Sequence, residues 1–533
     1  MEAALTLDPV RYAQRRFSFL VKLPAAAALV VLADRLFYSA HDVGATLGAF
    51  ALALILSTVA LRVDIRRQRD ALVSAGAAAM FAGFMIDEPG PLSLALCWTA
   101  LSLATLLPRA FRFASGWNWI LRLLAHNFAL PAGPLGDLRR LRRSGSRSGS
   151  PHLALSLPLL AVPVLGSTVF LLLFASANPL IGGAFGSLDF SGVSVLRALF
   201  WLAILMPVWA ILRPRLRFAR FAEQSQSASL PLPGVSNASI TLSLLAFNAI
   251  FGLQNVLDIA FLWSDAPLPD GMTLAEYAHR GAYPLIITAL LAALFVLVTF
   301  RPGSAMAASA PIRRLVTLWV GQNVFLVAST MLRTIDYIKA YSLTELRIEA
   351  LIWMALVAGG LILICARLWL GKSETWLLNA NLAAAALVLS VSAAIDYDRI
   401  AAGWNVRHAR EIGGRGATLD LCYLNRMGAS ALLPLIELES RRIPAGLRER
   451  VTWLRNDIMG RLGARQAAWD SWTWRGARRL AAAQGLIADR RLPRFQAPPR
   501  RCDGSRFAPV QSAPPPPAQQ RSPQAPLTAT PAR

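Results

Sequence analysis

Eleven apolar stretches, separated by short charged clusters, constrain this chain more than any other feature of its sequence. A hydrocarbon layer about 30 Å thick requires about 20 helical residues per crossing, because only internal hydrogen bonds satisfy the backbone there. On that criterion the expected spans are 19–36, 43–61, 71–86, 91–108, 153–177, 195–212, 240–263, 283–300, 315–332, 350–370 and 377–394. The third is the weakest, with sixteen residues rich in Ala and Gly. Composition agrees: 55% of residues are hydrophobic and 16% charged, against about 25% charged in ordinary soluble proteins. The expected fold is all-α, a polytopic transmembrane helical bundle of about eleven spans, followed by a small C-terminal helical region and a disordered tail.

The charges between the spans alternate. Basic residues mark the N-terminus (Arg11, Arg15, Arg16) and the connections after even-numbered spans, such as Arg62, Arg66, Arg67 and Arg69, or Arg213, Arg215, Arg217 and Arg220. The odd-numbered connections carry Asp42, then Asp87 and Glu88, then Asp189, then Asp265, Asp270 and Glu276. After the ninth span, Arg333, Lys339 and Arg347 are offset by Asp336, Glu345 and Glu349. Basic loops stay in the cytosol. The expectation is therefore a bacterial inner-membrane protein with a cytoplasmic N-terminus and, by parity, a periplasmic C-terminus. The first helix is expected to stay as an uncleaved anchor, since no small-residue cleavage site follows it.

This pattern divides the chain into a cytoplasmic N-terminus (1–18), spans one to six (19–212) with a basic cytoplasmic loop near 109–152, and spans seven to eleven (240–394). An extramembrane helical region (396–487) and a Pro-rich disordered tail (488–533) follow. Within 396–487, apolar periodicity marks helices at 419–438, 447–462 and 467–480. Besides the bilayer itself, anionic headgroups are the expected partner of the basic loop, and an envelope component that of the C-terminal region. The net charge of +24 is almost entirely Arg, with Lys only at Lys22, Lys339 and Lys372. That bias serves orientation, and no nucleic-acid partner is expected. Cys97 and Cys365 read as packing residues, whereas Cys422 and Cys502 could pair if their region lies outside the cytosol. Cysteine spacing and glycine patterns specify no cofactor or metal.

Polar side chains inside a hydrocarbon layer are costly and therefore informative. At about 100° per residue, Asn248, Asn255 and Asp258 fall within an arc of roughly 80° on the seventh span, with Gln254 just beyond it. Gln322, Ser329, Arg333 and Asp336 form a similar stripe on the ninth. Asp258 and Arg333 lie at similar depth and could pair, and Glu276, His279 and Arg280 follow at the same outer side. Together these residues suggest a pocket for a small ligand or ion, open to the exterior. The rival reading is interhelical hydrogen bonding alone. Glu276 and His279 have the spacing of a di-metal carboxylate helix, but in a single copy. Asp396-Tyr397-Asp398 has the D-x-D form of sugar-nucleotide enzymes, again only once.

Several of these segments resemble a bacterial multi-pass family, domain of unknown function 4173. They are Gln254-Asn255-Val256-Leu257-Asp258, Leu268-Pro269-Asp270-Gly271-Met272-Thr273 and Glu276-Tyr277-Ala278-His279-Arg280-Gly281. Gln322-Asn323-Val324, Tyr341-Ser342-Leu343-Thr344-Glu345-Leu346-Arg347, Asn405-Val406 and Asp420-Leu421-Cys422-Tyr423-Leu424 extend the similarity, which covers roughly 240–438. It implies a helical integral membrane protein and carries no reaction or ligand with it. The functional expectation is a transporter or permease-like protein. The alternative is a non-enzymatic envelope sensor or assembly scaffold, and a third reading is an intramembrane enzyme acting on lipid-linked substrates through Glu276 or His279.

Overall fold

The computed structural model describes residues 9–40, 42–109, 115–128, 195–214, 237–262, 309–493 and 499–506, together with 137, 287, 291 and 295. Every regular element among them is helical. In chain order these are α1 (Pro9–Ala33, running into a π-helical turn at Asp34–Tyr38), α2 (Thr46–Leu61), α3 (Val63–Arg67), α4 (Arg69–Asp87) and α5 (Pro91–Leu106). Then come α6 (Gly116–Phe128), α7 (Val195–Leu212), α8 (Asn237–Leu262), α9 (Ala310–Tyr341), α10 (Glu345–Leu370) and α11 (Glu374–Ala394). Among the described residues seven helices are long and apolar enough to cross a membrane, and α2 is apolar but shorter. The expected count of about eleven is not reached on this measure. Two expected spans, 153–177 and, apart from single residues, 283–300, lie outside the described residues.

The first five long helices share one core. Ala26 and Leu29 of α1, Leu54 and Ile55 of α2, Phe81 and Met85 of α4, Leu101 of α5 and Trp209 of α7 are buried together. The weak third span has a physical reason for its composition. Its Ala71, Ala75, Ala78 and Ala82 are all buried, and a Cβ on Gly48 of α2 would lie 2.5 Å from the Ala82 carbonyl oxygen. Small side chains let helix backbones approach where the lipid offers no hydrophobic drive to associate. A second group, α8 to α11, packs around Leu244, Val316, Trp319, Leu361, Ile364 and Leu377. Gly371, at φ +60°, ends α10 in the left-handed conformation that glycine adopts freely, and the Lys372 amide donates to the Arg367 carbonyl. Between the two groups, Asn379 Oδ1 of α11 accepts from the Gly116 amide of α6 at 2.9 Å.

The C-terminal domain comprises α12 (Tyr397–His408), α13 (Leu421–Arg426), α14 (Leu432–Glu439), α15 (Ala445–Ala467) and α16 (Trp474–Asp489). Side chains of Asp396, Asp420 and Thr473 cap α12, α13 and α16 by accepting from amides three residues on. These caps correct two expected helices. The segment 419–438 is divided by a 3-10 turn at Gly428–Ala431, and the helix expected from 467 starts only at Trp474, once Thr473 has capped it. Cys422 and Cys502 form a disulfide. Around it, Arg450 reaches Asp503 at 2.8 Å, while Arg500 and Arg506 reach Glu449 at 2.9 and 2.8 Å. Part of the expected disordered tail, residues 499–506, is thus fastened to α15. Residues 494–498 and 507–533 lie outside the described residues.

The helix connections sort to two ends. At one end Lys22 donates to the Leu212 carbonyl at 3.0 Å, Arg62 pairs with Asp64 at 2.6 Å, and Arg109 donates to the Pro214 carbonyl. At the other end the C-terminal domain holds four connections. Gly44 and Ala45 amides donate to the Asp470 and Trp472 carbonyls at 2.6 and 2.7 Å, and a Cβ on Gly44 would collide with the Trp472 oxygen at 2.4 Å. Arg475 and Arg478 both reach Asp87 at 2.7 Å, and Arg475 also donates to the Ala394 carbonyl at 3.2 Å. Asn405 accepts from the Leu343 amide at 2.7 Å and donates to its carbonyl at 2.9 Å.

Candidate functional site

The two polar stripes meet. α8 and α9 run parallel, and a ladder of amides links them. Asn248 Nδ2 donates to the carbonyls of Leu244 at 2.7 Å and Leu315 at 3.1 Å. Gln322 Nε2 donates to the Asn248 carbonyl at 3.2 Å, and Asn255 Nδ2 to the Gln322 carbonyl at 3.4 Å. One level further on, Gln254 Nε2 donates to Asp258 Oδ1 at 2.9 Å, and Arg333 donates to the same oxygen. Asp258 is 2% exposed and Arg333 8%, so this ion pair is enclosed between helices. Ser329, between the two levels on α9, is fully buried.

Asp336 departs from the stripe. It is half-exposed and pairs with Lys339 one turn on at 2.9 Å. Glu276, His279 and Arg280 lie outside the described residues. Beside Asn255 and Gln322 there is an open groove of about 600 Å³, otherwise walled largely by apolar side chains such as Leu318 and Phe325, and neither Asp258 nor Arg333 is among the residues that line it. Trp369 of α10 borders it and donates to Thr317 Oγ1 at 3.0 Å. The amide nitrogens of Asn248, Asn255 and Gln322 are taken up by backbone carbonyls, which suits the joining of two helices in lipid. Asn248 Oδ1, Asn255 Oδ1 and Gln322 Oε1, by contrast, are buried without a hydrogen-bond partner among the described residues.

A second polar place lies between α12, α14 and α16, where α4 and α11 end. This open cleft of about 1290 Å³ is lined by Arg399, Arg407, Arg475, Arg478, Arg479 and Arg490. Its only carboxylates among the lining residues are Asp87, Asp396 and Glu437. Asp396, the first residue of the D-x-D, spends its oxygens on capping α12, on Ser430 Oγ at 3.1 Å and on Arg479. Burial acts to raise the Glu437 carboxyl, but hydrogen bonds from Arg407 and Arg441 outweigh it and hold the group below its usual range. Glu88, at the edge, shows the opposite balance, with burial pushing its carboxyl up against the pull of Arg479 and Arg475. Individually these arginines read in the sequence as a solvated basic surface. Their one local signal is the spacing of Arg475, Arg478 and Arg479, which places them on one face of α16. No three His, Cys, Asp or Glu side chains come together as a metal-binding group among the described residues.

Seven long apolar helices among the described residues, two of them joined by buried polar side chains, support an integral membrane protein. Within that class, residues 71–438 match the family described as Domain of unknown function (DUF4153), and the chain belongs to it. The resemblance to family 4173 is corrected accordingly, and the matched region begins at α4 rather than α8. No curated protein and no solved structure matches the chain.

Proposed function

We propose that this protein is a multi-pass envelope protein of the inner membrane whose working surface is the end covered by the C-terminal domain, and that it acts there as a sensor or assembly scaffold. The observation that carries this reading is the grip of one domain on connections from both helix groups, through Asp87, Ala45, Leu343 and Ala394. A domain tied in this way reports on the whole membrane portion. Charge alternation favours the periplasm for that end, and the Cys422–Cys502 disulfide favours an oxidising compartment. On this reading the α8–α9 ladder joins helices. A permease reading keeps one supporting observation, the groove beside Asn255 and Gln322.

Complementation separates the two. In a deletion strain scored for envelope integrity, Asp258→Asn should restore function, while Arg399→Glu combined with Arg407→Glu should not, at equal membrane levels. The reverse pattern would transfer the function to the α8–α9 interface.

A further inference from the structure

The basic cleft has more cation than it can neutralise internally. Arg475 and Arg478 share the single carboxylate of Asp87. Arg407 reaches Glu437 only at 3.4 Å and is 63% exposed, while Arg441 holds the same carboxylate at 2.6 Å. Arg399 is exposed, and beyond the backbone amide that Asp396 caps, its guanidinium has no hydrogen-bond or ion-pair partner among the described residues. Six guanidiniums thus face three carboxylates across one cleft. Guanidinium forks are the side chains best matched to phosphate oxygens.

The position of the cleft adds a second constraint. Asp87 and Ala394, the last residues of α4 and α11, lie in its wall, so it opens at the level where two apolar helices end. α11 has one buried residue, Leu377, the others being half-buried or exposed. Its exposed Leu387 and Val391 continue into exposed Ile395, Ile400 and Trp404, each four or five residues after the last. Ile400 and Trp404 themselves line the cleft, and Trp404 stacks on His408 with ring centroids 3.8 Å apart. Exposed apolar side chains thus lie on both sides of the break between α11 and α12, Leu387 and Val391 in the last two turns of α11 and Ile400 and Trp404 in the cleft beside the arginines. Tryptophan is at home at such a boundary between apolar and wet surroundings.

We propose that the cleft binds a phosphate-bearing anionic amphiphile, its headgroup among Arg399, Arg407 and Arg478 and its chain along the strip from Leu387 to Trp404. The proposal rests on the reading of this end as the working surface and names the ligand class that it would take. A soluble phosphate ester would satisfy the arginines but leave the strip unused, whereas a neutral lipid would fill the strip and leave the arginines unpaired.

The test uses the full-length protein in neutral detergent, with short-chain phosphatidylglycerol, phosphatidylcholine and glycerol phosphate as probes. Phosphatidylglycerol should bind, and the pair of changes Arg399→Gln and Arg407→Gln should weaken it roughly tenfold or more, as expected for charge-assisted hydrogen bonds. Ile400→Ser with Trp404→Ser should weaken it several-fold. Both arginines lack strong internal partners, so the variant should keep the disulfide and the elution volume of the wild type. Equal binding of glycerol phosphate would overturn the amphiphile. Binding of phosphatidylglycerol that ignores both pairs of changes, or no preference over phosphatidylcholine, would overturn the site. Failure of complementation by Arg399→Glu with Arg407→Glu, alongside absent lipid binding, would leave the scaffold reading standing and remove only this ligand.

Discussion

Two enclosed arginine–carboxylate pairs sit in different solvents, and they are built differently. In the C-terminal domain Arg455 and Glu439 are 0% and 1% exposed. Glu439 accepts from Arg455 Nε at 2.6 Å, Arg455 Nη2 at 3.3 Å and Thr452 Oγ1 at 2.7 Å. Two further guanidinium hydrogens go to Asn456 Oδ1 at 3.0 Å and the Pro493 carbonyl at 2.7 Å. In the apolar layer, Asp258 Oδ1 takes both Arg333 and Gln254, and Oδ2 has no partner among the described residues. The first pair is a closed network that fixes α14 against α15. The second shares one carboxylate oxygen between an arginine and an amide. Buried charge thus needs a full shell in a domain that can also unfold into water.

The largest expected effect comes from removing one member of the closed network. Glu439→Ala should destabilise the C-terminal domain by about 3–5 kcal/mol, because Arg455 is left charged and enclosed. The midpoint of heat-induced protease sensitivity in the intact protein measures it, and a loss below about 1 kcal/mol would erase the contrast, since only exposed pairs behave so. Next comes the disulfide. Cys422→Ser should cost about 2–4 kcal/mol in the same assay, and thiol trapping in intact cells should find Cys422 and Cys502 oxidised. Free thiols there would oppose the exterior assignment of the whole domain. The smallest effect belongs to the membrane pair. A double-mutant cycle on Asp258→Asn and Arg333→Gln should give a coupling of about 0.6–1.7 kcal/mol, the range found between helices in lipid. A coupling as large as that of the soluble pair would show that Asp258 has work beyond joining α8 to α9.

What could be read from the residues alone follows the same division. The helix at 195–212 coincides with α7, and the period of Asn248, Asn255 and Asp258 marks the face that meets α9. Periodicity is local, and these contacts recur along two straight helices. Asp336 shows its limit. The angular arithmetic places it with Arg333, yet by that point α9 has left the apolar surroundings that would enclose it, and the side chain turns to Lys339. Apart from the spacing of Arg475, Arg478 and Arg479 on one face of α16, the cleft was not legible. Asp87 and its partners Arg475 and Arg478 are 388 and 391 residues apart, and no period or motif connects them. Asn405, quoted among the family-like segments, likewise revealed its two bonds to Leu343 only in three dimensions.

α9 has 32 residues, so at about 1.5 Å per residue it is about 48 Å long, against about 30 Å of hydrocarbon. Its final turn, through Ile338, belongs to the core of the C-terminal domain, and Leu343 just beyond it does too. The helix is therefore a rigid shaft with one end in lipid and the other cast into the cap. A 10° tilt swings its far end by about 8 Å on that length. Because Ile338 belongs both to the helix and to the core of the domain, a tilt of α9 carries that part of the domain with it.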